Sequence, residues 1–310
     1  IGNRLSSKAA DQNSTPKKDI IPELDRLTVI VRFLTIPSLQ ASGTSPILEI
    51  MQSVWPILDA LSTRFPHEFS IAEKICRLHK YASRSCGVAA YEPMLEPLMK
   101  QLVQSYERSR QSSYLYAASI CVTEYGRDPK HSANLFGMVN VMASVSFSFL
   151  NSLDDLTRHP DVVEELFYLM GRMITYCPIP LVTSPLLHSL FQCAVVGMKL
   201  DHRDANKGTL NFLENSMSFG LSLKEQNNPD CQQALERVLA SEGQAIVNNL
   251  VLSLTGDLQA YSIDAGTGSI AGILWKLRAL APGMRAQWIT VALANAPERP
   301  RMEFVGVMNG

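Results

Sequence analysis

The sequence predicts an all-α protein built as a solenoid of stacked antiparallel helix pairs, on three observations. Apolar residues recur at three-and-four spacing almost from end to end of the 310 residues. No period-two run flanked by turn residues marks a strand. Short punctuation, such as Gly126-Arg127-Asp128-Pro129, His159-Pro160-Asp161 and Asn228-Pro229-Asp230, cuts the chain into helix-length segments. At 46% hydrophobic and 18% charged, the chain has ample material for a core.

The candidate helices lie near 20–35, 45–64, 70–86, 91–109, 112–126, 131–151, 161–176, 181–200, 203–221, 230–254, 268–280 and 284–296. Residues 1–18 are polar and read as an unstructured segment, 19–296 as the solenoid of about six helix pairs, and 297–310 as a tail. Helices 161–176 and 230–254 each begin with Pro beside an Asp, which suits a first turn. The apolar runs 138–150 and 186–200 are too short to span a bilayer and are broken by Asn140, His188 and Gln192. Asp201 or Asp204 reads as capping helix 203–221, and Gly266-Thr267-Gly268-Ser269-Ile270-Ala271 as a loop leading into helix 268–280. Pairs at 45–86, 91–126, 131–176, 181–221 and 230–280 give units of roughly 40–50 residues, the period of HEAT or armadillo hairpins. A HEAT-repeat α-solenoid follows, with an irregular all-α domain as the alternative.

Several functions are disfavoured. Lys plus Arg number 28 against 29 Asp plus Glu, a net charge of −1, which does not fit a dedicated nucleic-acid binder. The six cysteines form no Cys-x-x-Cys pair and read as buried thiols in a reducing compartment. His202-Arg203-Asp204 copies a kinase tripeptide, but position 209 is Thr and no Gly-rich loop or Asp-Phe-Gly accompanies it. The glycine-rich run at 266–271 has no strand before it, so it is no dinucleotide site. No catalytic residue, cofactor-binding residue or metal ligand is assigned. The chain starts at Ile1 and reads as a piece of something longer, with no secretory signal or membrane span.

Two helices carry candidate binding faces. On 70–86, Lys74, Arg77, Lys80 and Arg84 fall within an arc of roughly 120°, opposite Ile71, Ile75, Leu78, Ala82 and Cys86. Their spacing lines cations along the helix, suited to an extended polyanion, with Glu73 interrupting; the plainer reading is a solvated face. On 161–176, Asp161, Glu164 and Glu165 oppose Val162, Leu166, Leu169, Met170 and Met173. Charge is 10 − 7 = +3 over 64–130 and 3 − 5 = −2 over 131–199, so its sign changes along the array. A ligand bearing both charges, such as a phosphorylated Arg-Ser repeat, fits that pattern.

Asp25-Arg26-Leu27-Thr28-Val29-Ile30, Trp55-Pro56-Ile57-Leu58, Tyr114-Leu115-Tyr116-Ala117 through Glu124-Tyr125-Gly126, His159-Pro160-Asp161 through Leu166-Phe167, and Leu200-Asp201-His202-Arg203-Asp204-Ala205-Asn206 follow one another along the chain. Over roughly residues 25–280 they resemble the C-terminal half of karyopherin-β nuclear import receptors of the transportin-SR type. The resemblance implies a HEAT solenoid that carries phosphorylated Arg-Ser domain proteins between cytoplasm and nucleus. It implies cargo release by Ran-GTP, contacted mainly by an N-terminal half absent from this chain. It implies no enzymatic activity, with nucleoporins as further partners and neither direct nucleic acid nor membrane. Cargo phosphates would meet Lys74, Arg77, Lys80 and Arg84, where Lys replaces the family's Arg at two positions and loses the bidentate fork. Cargo arginines would meet Asp161, Glu164 and Glu165. The charged faces themselves predict that the second helix of each pair, including 70–86, 161–176 and 203–221, lines the concave side. The alternative is a HEAT-repeat interaction scaffold without a transport role, and a receptor of the same fold with other cargo is a further one.

Overall fold

The computed structural model describes residues 2–34 except 12 and 14, residues 45–256 except 227, residue 258, and residues 270–296. Its α-helices in chain order are α1 (Gly2–Ala10), α2 (Ile21–Phe33), α3 (Pro46–Arg64), α4 (Phe69–Cys86), α5 (Val88–Tyr91), α6 (Leu95–Ser109), α7 (Ser112–Tyr125), α8 (Ser132–Phe147), α9 (Leu153–Arg158), α10 (Pro160–Tyr176), α11 (Pro178–Val182), α12 (Leu186–Gly197), α13 (Arg203–Gln226), α14 (Pro229–Thr255), α15 (Ile270–Leu280) and α16 (Pro282–Ala294). No strand occurs among the described residues. Each expected long helix forms. The short helices α5, α9 and α11 were not anticipated, because four to six residues carry too little periodicity to register. The expected tail at 297–310 and residues 266–269 of the glycine-rich loop lie outside the described residues.

Local chemistry sets the helix ends. α10 and α14 start with Pro160 and Pro229, whose missing N–H costs nothing in a first turn. Asn228 accepts the Cys231 amide at 3.2 Å, and Ser152 accepts the Asp155 amide at 3.1 Å to open α9. α4 stops at Gly87, whose φ of +88° a side chain would oppose.

The N-terminal segment differs from the expected unstructured stretch, since residues 2–10 form α1. Leu5 is fully buried and Arg4 donates to Glu23 of α2 at 2.7 Å. The Arg64 guanidinium on α3 donates to the Ala9 and Asp11 carbonyls at 2.6 and 2.7 Å, satisfying acceptors at the helix C-terminus. One apolar residue and two arginines therefore hold an otherwise polar helix, too few for a periodicity signal.

The chain divides into two compact units, residues 1–146 and 147–310. In the first, α3 and α4, then α6 and α7, form successive pairs, as expected for 45–86 and 91–126. α4 packs between α2 and α7, and α3 packs against α1 and α6, so first and second helices form separate rows. In the second unit α10, α13 and α15 make one row and α12, α14 and α16 the other. This two-row stacking is that of a HEAT-type solenoid. The most extensive packing of the second unit is α10 against α13, where Gly208 brings its backbone so close that a Cβ would sit 3.1 Å from the Glu164 carbonyl oxygen. Phe212 from α13 lies beside Phe167 and Phe191, with centroids 5.5 and 5.6 Å away. Each such fully buried side chain stabilises by roughly 1.5–3 kcal/mol.

All six cysteines are free, and Cys86 alone among them is half-exposed rather than buried. No described helix is long and apolar enough to cross a membrane.

Two glycines test the packing. A Cβ on Gly243 of α14 would lie 2.3 Å from the Trp288 ring of α16, whereas one on Gly137 of α8 meets nothing within 4 Å. Gly243→Ala is expected to destabilise by about 1–3 kcal/mol, and Gly137→Ala to stabilise by roughly 0.5–1 kcal/mol, in urea unfolding.

Candidate functional site

α4 presents its charges on one face because its other residues are committed to packing. Ile71, Ile75, Leu78 and Ala82 are buried as expected, and His79 joins them. His79 Nδ1 lies 2.9 Å from the Tyr91 hydroxyl and its ring meets Trp55 edge-on. Burial pushes the imidazole down to about 4, so it is neutral at physiological pH. The positive charge of this helix therefore comes only from Lys74, Arg77, Lys80 and Arg84.

The four cations are not equivalent. Lys74, 20% exposed, donates to Asp25 of α2 at 2.8 Å and lies 3.8 Å from Glu73. Lys80 hydrogen-bonds the Tyr116 hydroxyl of α7 and sits over that ring, 5.1 Å from its centroid. Arg77 and Arg84 are 44% and 55% exposed, and their nearest carboxylates, Glu73 and Glu124, stand at 3.7 and 3.9 Å. Exposed pairs this long hold their partners weakly. The lysines thus tie α4 to both neighbours in its row, while the arginines, two turns apart, remain available to a ligand.

The structure adds residues that sequence reasoning missed. Arg32 of α2 lies 4.8 Å from the centroid of Tyr81, and the Arg77 guanidinium and Lys80 ammonium approach the same ring. Arg77 beside the Tyr81 hydroxyl, with Arg32 and Lys80 near, holds that phenol below its usual range. The signal available in the sequence was Tyr81 four residues after Arg77, on the same helical face. Nothing in the spacing pointed to Arg32, which lies on a different helix.

In the second unit, Asp161, Glu164 and Glu165 lie at the start of α10, with Asp161 exposed and the two glutamates half-buried. Burial, then Asp204 of α13 and Asp161, raises the Glu164 carboxyl, against the opposing pull of His202. Glu165 is pushed up to about 7 by burial and by Glu164, against Arg172. Carboxylates held above their usual range gain when a cation arrives. The His202-Arg203-Asp204 tripeptide opens α13. There the His202 ring accepts the Ala205 amide at 3.3 Å, a contact that the acidic-cap expectation missed, and Asp204 lies in the first turn. Among the described residues no group of three or more His, Cys, Asp or Glu side chains could hold a metal ion.

Glu165 gives a pH prediction with a definite sign. Its folded value of about 7 exceeds the 4.5 of a free glutamate, so the folded state binds the proton more tightly. This residue's contribution is greatest below the unfolded value and is lost as pH rises through the folded one. Glu165→Gln should therefore be more stable than the parent by roughly 1–3 kcal/mol at pH 8 and about equal at pH 4.5, in urea titrations at both pH values.

Comparison with known proteins covers this same stretch. Residues 45–150, which include α4, match the family described as the transportin-3/importin-13 fourth TPR domain. Transportin MOS14 of Arabidopsis thaliana is 24% identical over 256 residues, 83% of this chain and 26% of that protein. An uncharacterised protein of Schizosaccharomyces pombe is 24% identical over 205 residues, 64% of this chain and 21% of its own. The chain thus spans about a quarter of the length of these curated relatives. The solved structure of importin-13 in its cytosolic state matches with a TM-score of 0.78 at 17% identity, over 96% of this chain and 33% of that one, which shows the fold. The likenesses are thus to importin- and transportin-type proteins, at the level of a family model over residues 45–150 and of the fold over nearly the whole chain.

Proposed function

We propose that this chain is the cargo-binding part of a nuclear import receptor of the transportin-SR type, taking phosphorylated Arg-Ser proteins as cargo. The observation that carries the reading is the division of labour on α4, where two lysines brace the row and two arginines stand exposed. Arg77 and Arg84 are seven residues apart, about 10 Å along the helix, a distance that an extended peptide covers in about three residues. Guanidinium forks at that spacing suit two phosphoserines of one extended segment. The acidic start of α10, with Asp161, Glu164 and Glu165, supplies the complementary charge for cargo arginines. Cargo release by Ran-GTP belongs to the full-length receptor, which shuttles between cytoplasm and nucleus and contacts nucleoporins on the way.

Binding of phosphorylated and unphosphorylated Arg-Ser peptides measures this directly. Arg77→Ala with Arg84→Ala should weaken the phosphorylated peptide roughly tenfold or more, and the unphosphorylated one much less. Added salt should narrow the difference, because screening acts on the same attraction. Both side chains are exposed, so helical content should not change. Equal losses for the two peptides would overturn the reading.

A further inference from the structure

The row α12–α14–α16 of the second unit carries a groove of about 330 Å³ between the turn that joins α11 to α12 and the first half of α14. Val182, Leu187 and Val238 are buried beneath it and give it an apolar floor. The hydroxyls along it already donate within the protein. Thr183 donates to the Ile179 carbonyl at 2.8 Å, Ser184 to the Leu181 carbonyl at 2.7 Å and Ser241 to the Glu242 carboxylate at 2.9 Å. Each oxygen can still accept, so the groove offers acceptors to the N–H groups of a ligand.

Its cation is Arg237, which is exposed and forms no ion pair among the described residues. The carboxylates nearby are engaged elsewhere. Glu236 accepts the Gln232 amide at 2.8 Å, and Glu242 accepts His188 Nε2 at 3.0 Å. Ser241, His188 and Glu242 match a hydrolytic set in composition only. Ser241 Oγ and Glu242 both approach the same ring nitrogen, Nε2, at 3.4 and 3.0 Å, whereas proton relay needs them on opposite nitrogens of the imidazole. What remains is an apolar floor, a line of acceptors and one guanidinium fork.

We propose that this groove is a docking site for an extended peptide segment of a partner protein, in which an apolar side chain is followed within two residues by Asp or Glu. The apolar side chain packs on Val182, Leu187 and Val238, the carboxylate meets the Arg237 fork in two parallel hydrogen bonds, and peptide N–H groups donate to the hydroxyl oxygens. A fatty acid would satisfy the floor and the fork but has no N–H for the hydroxyls. A nucleic-acid strand would bring a phosphate at every residue to a single cation. No residue of α4 or α10 takes part, so the inference is independent of the cargo reading.

The test titrates the full, isotope-labelled chain with a seven-residue peptide that holds Leu and Asp two positions apart in a Gly-Ser background. Amide shifts should concentrate at Thr183–His188 and Ala234–Ser241. Asn in place of the peptide's Asp, and Arg237→Ala in the protein, should each weaken binding about fivefold, and together little more than either, because both remove the same contact. Ala234→Glu should abolish binding, since it sets a carboxylate three residues from Arg237 on the same helical face. Helical content should be unchanged in both variants. No shift at these residues at millimolar peptide would overturn the site, as would undiminished affinity in Arg237→Ala. Equal binding of the Asn peptide would overturn the acidic requirement. A medium-chain fatty acid that shifts the same residues at lower concentration than the peptide would overturn the choice of a peptide. Shifts there that grow with protein concentration alone, and are lost in Arg237→Ala, would assign the groove to a second copy of the chain and overturn the proposal.

Discussion

Packing of second helices on one another is the constraint from which the rest follows. A helix in the middle of the row, such as α4 between α2 and α7, buries a stripe against its pair partner and both flanks against its neighbours. The remaining side stays free, and charged groups with no buried partner collect there because burying them unpaired costs several kcal/mol. The charge on α4 is therefore a consequence of its position in the row. What the sequence adds is the choice of cation at each step, Lys where a neighbour is to be tied and Arg where the face stays open.

The same rule gives the opposite sign in the second unit. α10 and α13 approach closely at Gly208, and the carboxylates of Asp161, Glu164 and Asp204 share the margin of that contact. Burial first, and then these neighbouring carboxylates, raise the Glu164 carboxyl, while Phe167 and Phe212 pack between the same two helices. In the first unit the cluster at Tyr81 has the mirror-image character. Each unit thus carries like charges gathered on one face.

Much of this was legible in the residues. The three-and-four spacing marked every long helix, since a helix that buries one stripe must repeat its apolar residues that way. The pairs 45–86, 91–126, 181–221 and 230–280 followed from Pro and Gly punctuation, whereas the expected pair 131–176 runs across the boundary between the two units at residues 146 and 147. Lys74, Arg77, Lys80 and Arg84 were legible as one face because they lie on one helix. Arg32 was not, because its meeting with Tyr81 depends on how α2 lies against α4, a tertiary fact with no local period. α1 was missed for a related reason: its anchors are Arg64, more than fifty residues away, and the single buried Leu5. His79 was placed by neither composition nor spacing, since its burial depends on Tyr91 and Trp55 arriving from other elements.

The central claim is that the second-helix row of the first unit is the face that reads a phosphorylated ligand. Photo-crosslinking mapped by mass spectrometry tests it most directly, with a phosphorylated Arg-Ser peptide carrying a photoreactive residue beside one phosphoserine. Crosslinks should fall on the exposed residues of α2 and α4 and on α7 around Tyr116, and should be displaced by excess unlabelled phosphopeptide. Crosslinks confined to α3 and α6 of the opposite row would contradict the claim.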